Sequence, residues 1–258
     1  MNFPDFGLGP LEGQIWMVMF LSIRAAAAML AAPLFGGVAV PVQLRALLGV
    51  ALGVFVMNWV PVPQLPAMLS FAGAVALLQE AVIGLALGFV LQVSFAAPLI
   101  AAEQVAGAMG LAMATAVDPG TGAQSSAIGQ FFSLLLMLTF LAVGAHLMWF
   151  ELLVESYRLL PVGQDGLPGT AGMRVVKFAG IAIAAAAAIA LPMVLVLLLV
   201  QLVTGVLSRS APSLNLFALG LPAGVLAGLA ALIAALPVLA GQFAELSEAA
   251  ILGVAGLI

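Results

Sequence analysis

The chain has 258 residues, of which 65% are hydrophobic and only 6% charged, with a net charge of -4, no cysteine and one histidine. A water-soluble domain is about 25% charged, so this chain has too little polar material to solvate a globule, and its solvent is lipid or other protein. Six basic residues give no electrostatic footprint for nucleic acid, and a chain without cysteine cannot form disulfides, iron–sulfur clusters or thiolate zinc sites.

Cutting the sequence at charges and Pro/Gly clusters leaves apolar runs over 14–36, 42–60, 67–102, 128–150, 178–207 and 214–240. About 20 apolar residues cross a bilayer as a helix, which predicts about six hydrophobic helical segments. Runs 67–102 and 178–207 are overlong, and Pro98 and Pro192 are their natural kink points. Strands are excluded because open sheet edges cannot be satisfied in lipid. The fold class is therefore all-α, a polytopic membrane protein of kinked helical hairpins, with one membrane domain over 1–258 and no separate soluble domain. Before the first run there is no basic residue, unlike a signal peptide, so that span is expected to be retained. Arg45 and Arg209 place their short loops in the cytoplasm and the amino terminus outside.

Charges inside apolar runs are costly and face protein or a water-filled cavity. Arg24 and Glu80, which lie well inside their runs, are the first candidates here. They read as a buried polar pair that neutralises itself or caps carbonyls at a helix crossing, with a proton relay as the alternative. Gly49 and Gly53, then Glu80, Gly84, Gly88 and Gln92, and later Gly224 and Gly228, recur every four residues along helix stripes. Missing side chains let backbones approach, for packing within the chain or for subunit assembly.

Segment 107–122 is apolar yet broken by Gly107, Gly110, Asp118-Pro119, Gly120 and Gly122, so it cannot be one regular helix. Non-helical backbone at membrane depth is tolerated only where protein surrounds it or it lines a cavity. Met109 and Met113 add adaptable side chains. The segment reads as a channel-closing loop, or as an ordinary turn with methionine as filler. His146 beside Trp149 reads as an interfacial side chain with a satisfied hydrogen bond. No nucleophile elbow, P-loop or dinucleotide glycine pattern is present, which argues against an enzyme and against any cofactor or metal.

The order of these features resembles the FliR family of flagellar type III export-gate proteins nearly end to end. The resemblance is carried by Arg24, Pro33, Pro41 and Arg45; by Glu80, Gly84 and Gly88; by Gly107, Met109, Gly110 and Leu111 leading to Asp118-Pro119; by Gly144, His146, Ser156 and Leu160-Pro161; and by a carboxy-terminal run of Arg209, Pro212, Asn215, Phe217, Gly220 and Pro222. Departures are Gln201, Leu221 and the Ala102-Glu103 interruption.

The resemblance implies a non-enzymatic inner-membrane gate subunit of the flagellar basal body. It would assemble with FliP and FliQ, contact FlhB, and lie near FlhA. Unfolded flagellar subunits would pass through the shared channel, with lipid around the assembly. It also implies that Gly107, Met109, Gly110, Met113, Asp118 and Pro119 belong to a plug at the constriction. Its hairpins would be raised from the bilayer and buried by neighbours, which favours an inter-subunit role for Gly84 and Gly88. The competing readings are the equivalent subunit of a virulence injectisome and a stand-alone secondary transporter of a small solute. A transporter is expected to show paired broken half-helices around a midplane polar site.

Overall fold

A computed structural model describes residues 9–36, 40–63, 65–67, 70–111, 126–163, 166–210 and 216–258. Among them the secondary structure is all helical: α1 (Gly9–Ala31), α2 (Pro33–Gly36), α3 (Val42–Trp59), α4 (Phe71–Ala108), α5 (Ala127–Ala142), α6 (Ala145–Leu159), α7 (Ala171–Ser210) and α8 (Leu216–Ala255). Five of them, α1, α3, α4, α7 and α8, are long and apolar enough to cross a membrane, and the pair α5 and α6 brings the number to six if counted as one broken span. The chain is a multi-pass membrane protein.

Two features differ from the sequence reading. Run 128–150 breaks at Val143–Gly144, and Gly144 has φ 77, a left-handed conformation that glycine adopts without steric cost. The break was hidden because the hydrophobic residues continue through it. The last run continues to Ala255 as a 40-residue helix, since Glu245 and Glu248 sit on its exposed side and interrupt the apolar count but not the helix. Pro98, Pro192, Pro222 and Pro237 lie inside helices that continue past them.

The chain divides into two compact units. The first comprises Met1–Gln92, Ala145–Phe178 and Ala250–Ile258. Its core joins Phe20 and Leu21 of α1 with Val56 of α3, Ala76 of α4 and Tyr157 of α6. α1 is gripped from two sides by glycine pairs. A Cβ on Gly49 or Gly53 would meet Ala26 or Ser22, and one on Gly84 or Gly88 would run into the carbonyls of Arg24 or Ala28. Such backbone approach is the use of small-xxx-small spacing.

The second unit comprises Val93–Gly144 and Ala179–Ala249. Its core packs Ala101, Val105, Phe132, Ala186, Met193 and Phe243 together, with Phe132 edge-on to Phe243 at 5.8 Å between ring centroids. Outward faces of both units are apolar as well. Only 17% of α3 is buried within the chain, with Leu47, Phe55 and Trp59 exposed, a surface that lipid or other protein must cover.

Candidate functional site

Two constellations stand out, one in each unit. In the first unit Arg24 and Glu80 form a bidentate pair. Arg24 Nε donates to Glu80 Oε2 at 2.7 Å and Nη2 to Oε1 at 3.0 Å. Nη2 also donates to the Leu160 carbonyl at 2.9 Å, and Nη1 to the Ser156 carbonyl at 2.7 Å and its hydroxyl at 3.2 Å. All five N–H donors of the guanidinium are thereby used. The ring of Tyr157 lies 4.3 Å from the guanidinium carbon, and its hydroxyl donates to the Leu21 carbonyl at 2.6 Å.

Arg24 is 0% and Glu80 1% exposed, so the pair stands in a dry interior, where an unpaired charge is very costly. The site ties α1, α4 and the carboxy-terminal end of α6 together. The carbonyls of Ser156 and Leu160 belong to the last turn of α6 and the residue after it; the Leu160 N–H already donates to the Ser156 carbonyl at 2.9 Å, while the Leu160 carbonyl lies beyond the reach of intrahelical donors. A guanidinium is suited to that position because it serves a carboxylate and two carbonyls at once.

Sequence reasoning brought out Arg24 and Glu80 but missed Tyr157, whose aromatic face and hydroxyl complete the cage. It is the only tyrosine in the chain, and that was the available signal.

Gly84 and Gly88 are one turn and two turns beyond Glu80, and α1 of the same chain fills the space beside them. This corrects the inter-subunit role that the resemblance favoured. Their bare face is what allows α1 close enough for Arg24 to reach Glu80.

In the second unit α4 ends on a tight left-handed cap. Gly110 has φ 83, its N–H donates to the Gly107 carbonyl at 3.0 Å, and the Leu111 N–H donates to the Ala106 carbonyl at 3.0 Å. These two bonds make a Schellman closure, with glycine at the position that requires positive φ. The start of segment 107–122 thus leaves the helix at Met109.

Met109 is 3% exposed. A Cβ on Gly228 would collide with its side chain, and one on Gly224 would lie 3.1 Å from its carbonyl oxygen. The two sequence candidates, a methionine in a loop and a glycine pair on α8, are therefore parts of one joint. Met109 is the knob and Gly224/Gly228 the notch, which makes this methionine an anchor rather than a free closing side chain.

Two further side chains fasten the same segment. Gln201 Nε2 of α7 donates to the Ala108 carbonyl at 2.7 Å. At the far end the N–H of Ser126 donates to Glu103 Oε1 at 2.8 Å, while the Ser126 hydroxyl caps α5 by accepting from the Gly129 N–H at 3.0 Å. The described residues that flank 112–125 are thereby fastened to helices of the second unit. Gln201, Leu221 and Glu103, which stood out as departures from the family pattern, all touch this region, and the Leu221 side chain covers Gly110.

Met113, Asp118 and Pro119 lie outside the described residues, as do Pro212 and Asn215 of the carboxy-terminal run. Gly107 lies in the last turn of α4, and a Cβ there would meet nothing within 4 Å among the described residues. Arg209 is exposed in the last turn of α7; Phe217, Gly220 and Pro222 lie near the start of α8, and among the described residues nothing lies within 4 Å of a Cβ on Gly220. His146 Nδ1 is buried without a hydrogen-bond partner among the described residues, contrary to the satisfied ring expected of it.

The chain matches the model of the family described as bacterial export proteins, family 1, over residues 15–250. The flagellar biosynthetic protein FliR of Escherichia coli K12 is 32% identical over 222 residues, covering 84% of this chain and 83% of that protein. FliR of Pectobacterium carotovorum is 32% identical over 232 residues, covering 89% and 88%. FliR of Bacillus subtilis 168 is 30% identical over 209 residues, covering 79% and 80%. A match running through both compact units, with relatives of this identity and coverage, makes the chain a member of bacterial export protein family 1, the FliR family.

Proposed function

We propose that the chain is a non-catalytic subunit of the flagellar type III export gate in the inner membrane. Family membership makes it a component of the flagellar export apparatus. In the finer reading it joins FliP and FliQ around a channel, contacts FlhB and lies near FlhA. The chain acts as one domain over 1–258, and the loop within segment 107–122 contributes to closing the channel against small solutes.

One observation carries the closing role. The described residues on either side of 112–125 are held in place, by Met109 and Gln201 before it and by Glu103 after it. A closure must return to the same place after each passage, and a span of fourteen residues between two fixed points has limited reach. The flagellar branch is favoured over an injectisome by the names of the relatives.

The test removes Met113–Ala116 and leaves 107–111 intact, so that the cap and the anchor survive. Assembly with FliP-type and FliQ-type partners is expected to persist in mild detergent, while cells or vesicles holding the complex leak ions. Unchanged permeability in fully assembled complexes would remove the closing role. A chain that purifies without partners would remove the gate reading itself.

A further inference from the structure

Within the second unit α7 and α8 leave a groove between them. It consists of two adjoining hollows of about 250 and 280 Å³ that share Ile189 and Gln242. Alanines at 185, 188, 231 and 234 line it, so the backbones are close to its floor and a ridge of side chains from another helix can enter.

Two polar groups interrupt this apolar lining. Gln242 Oε1 is buried and has no hydrogen-bond partner among the described residues. Glu245, one turn along α8, lines the first hollow and forms no ion pair or hydrogen bond among them. Buried carbonyl oxygens nearly always accept a hydrogen bond, so Gln242 indicates a missing donor. A carboxylate on an otherwise oily face is costly unless it is paired, so Glu245 indicates that the missing group is cationic. A hydrocarbon tail would fill the hollows but satisfy neither residue.

We propose that this groove is the docking site for an apolar helix of another subunit, which brings a lysine or arginine to Glu245 and a donor to Gln242. The inference rests on the subunit role above and adds where a partner helix sits and which charge it carries. Nothing in it depends on segment 112–125.

The experiment uses the full chain in native membranes, with photoreactive benzoylphenylalanine replacing Ala234, and maps the covalent product by mass spectrometry. The expected product is an apolar segment of another membrane subunit with a lysine or arginine within two turns. Glu245→Lys is expected to lower its yield by at least about tenfold, Glu245→Asp to retain it, and Gln242→Leu to reduce it. Reversing the mapped cation to glutamate is expected to restore the yield in the Glu245→Lys background.

A product with lipid alone overturns the proposal. So does a peptide without a basic residue, or a yield indifferent to Glu245→Lys. An intact multi-subunit complex with no product at this position sinks the docking site alone, whereas absence of any complex sinks the subunit role with it.

Discussion

The two units hold their helices in opposite ways. In the first, glycines on α3 and α4 bring backbone against α1, and a fully satisfied Arg24–Glu80 pair locks the crossing. In the second, the joint between α4 and α8 is a methionine side chain lying in a glycine notch. Backbone and a buried ion pair cannot yield locally, because every atom they touch belongs to another fixed element. A thioether chain with three rotatable bonds can. The rigid device is placed where helices must stay put, and the compliant one at the root of the segment proposed to close a channel.

The largest effect that would test this contrast comes from splitting the ion pair. Glu80→Leu is expected to cost about 3–5 kcal/mol, because Arg24 is left charged in a dry interior. Arg24→Leu is expected to cost a similar amount. The double substitution should recover part of the loss, though not all, since the Leu160 carbonyl loses its Arg24 donor and the Ser156 carbonyl is left with the Leu160 N–H alone. Arg24→Lys should also recover only part, as one ammonium cannot serve a carboxylate fork and two carbonyls together. Thermal unfolding in detergent reads all four variants, and additive losses in the double variant would dissolve the pairing argument.

Next in size is the contrast between glycines. Gly84→Ala would drive a methyl group into the Arg24 carbonyl, and backbone cannot rotate away, so a loss of about 2–3 kcal/mol is expected. In Gly228→Ala the new methyl group meets first the Met109 side chain, which can rotate, and the substitution is expected to cost about 1 kcal/mol. The comparison is sharpened by Met109→Ala, which removes the Cγ, Sδ and Cε atoms that the new methyl group would meet and should relieve Gly228→Ala but leave Gly84→Ala unchanged. Equal losses at the two glycines would end the distinction between a stiff and a yielding unit.

Much of this was legible in the sequence. Apolar runs far longer than any soluble helix demands gave the helices, and the scarcity of charges inside them made Arg24 and Glu80 conspicuous. The partners of the glycine stripes were not legible, because spacing shows that something approaches but not what. Gly84 faces α1 and Gly228 faces a methionine more than a hundred positions away in the chain, and no local pattern encodes either match. The Gly144 break was hidden for a related reason, since hydropathy measures dryness and is blind to a single left-handed residue in an unbroken apolar run. Tyr157 was passed over because a tyrosine near the end of a span usually marks an interface, whereas this one is buried against a guanidinium.

The smallest expected effect tests how firmly the proposed closing segment is rooted. The Ala108 carbonyl is among the last of α4, where helical donors are exhausted, and Gln201 supplies one at 2.7 Å. Gln201 is exposed in the isolated chain, so water can replace it there, and Gln201→Leu is expected to cost only about 0.5–1 kcal/mol in detergent. Once other subunits exclude water the same carbonyl has no substitute donor, and the loss should grow. A cysteine-free chain permits a clean readout through a single Leu111→Cys probe, labelled by a maleimide. Gln201→Leu should speed labelling modestly in the free chain and more strongly, relative to its own control, in the assembled complex. If labelling changes by the same factor in both states, Gln201 is a surface contact that has no part in holding the root of the segment. If it changes only after assembly, the fastening belongs to the complex, and the yielding unit is set by its neighbours rather than by its own fold.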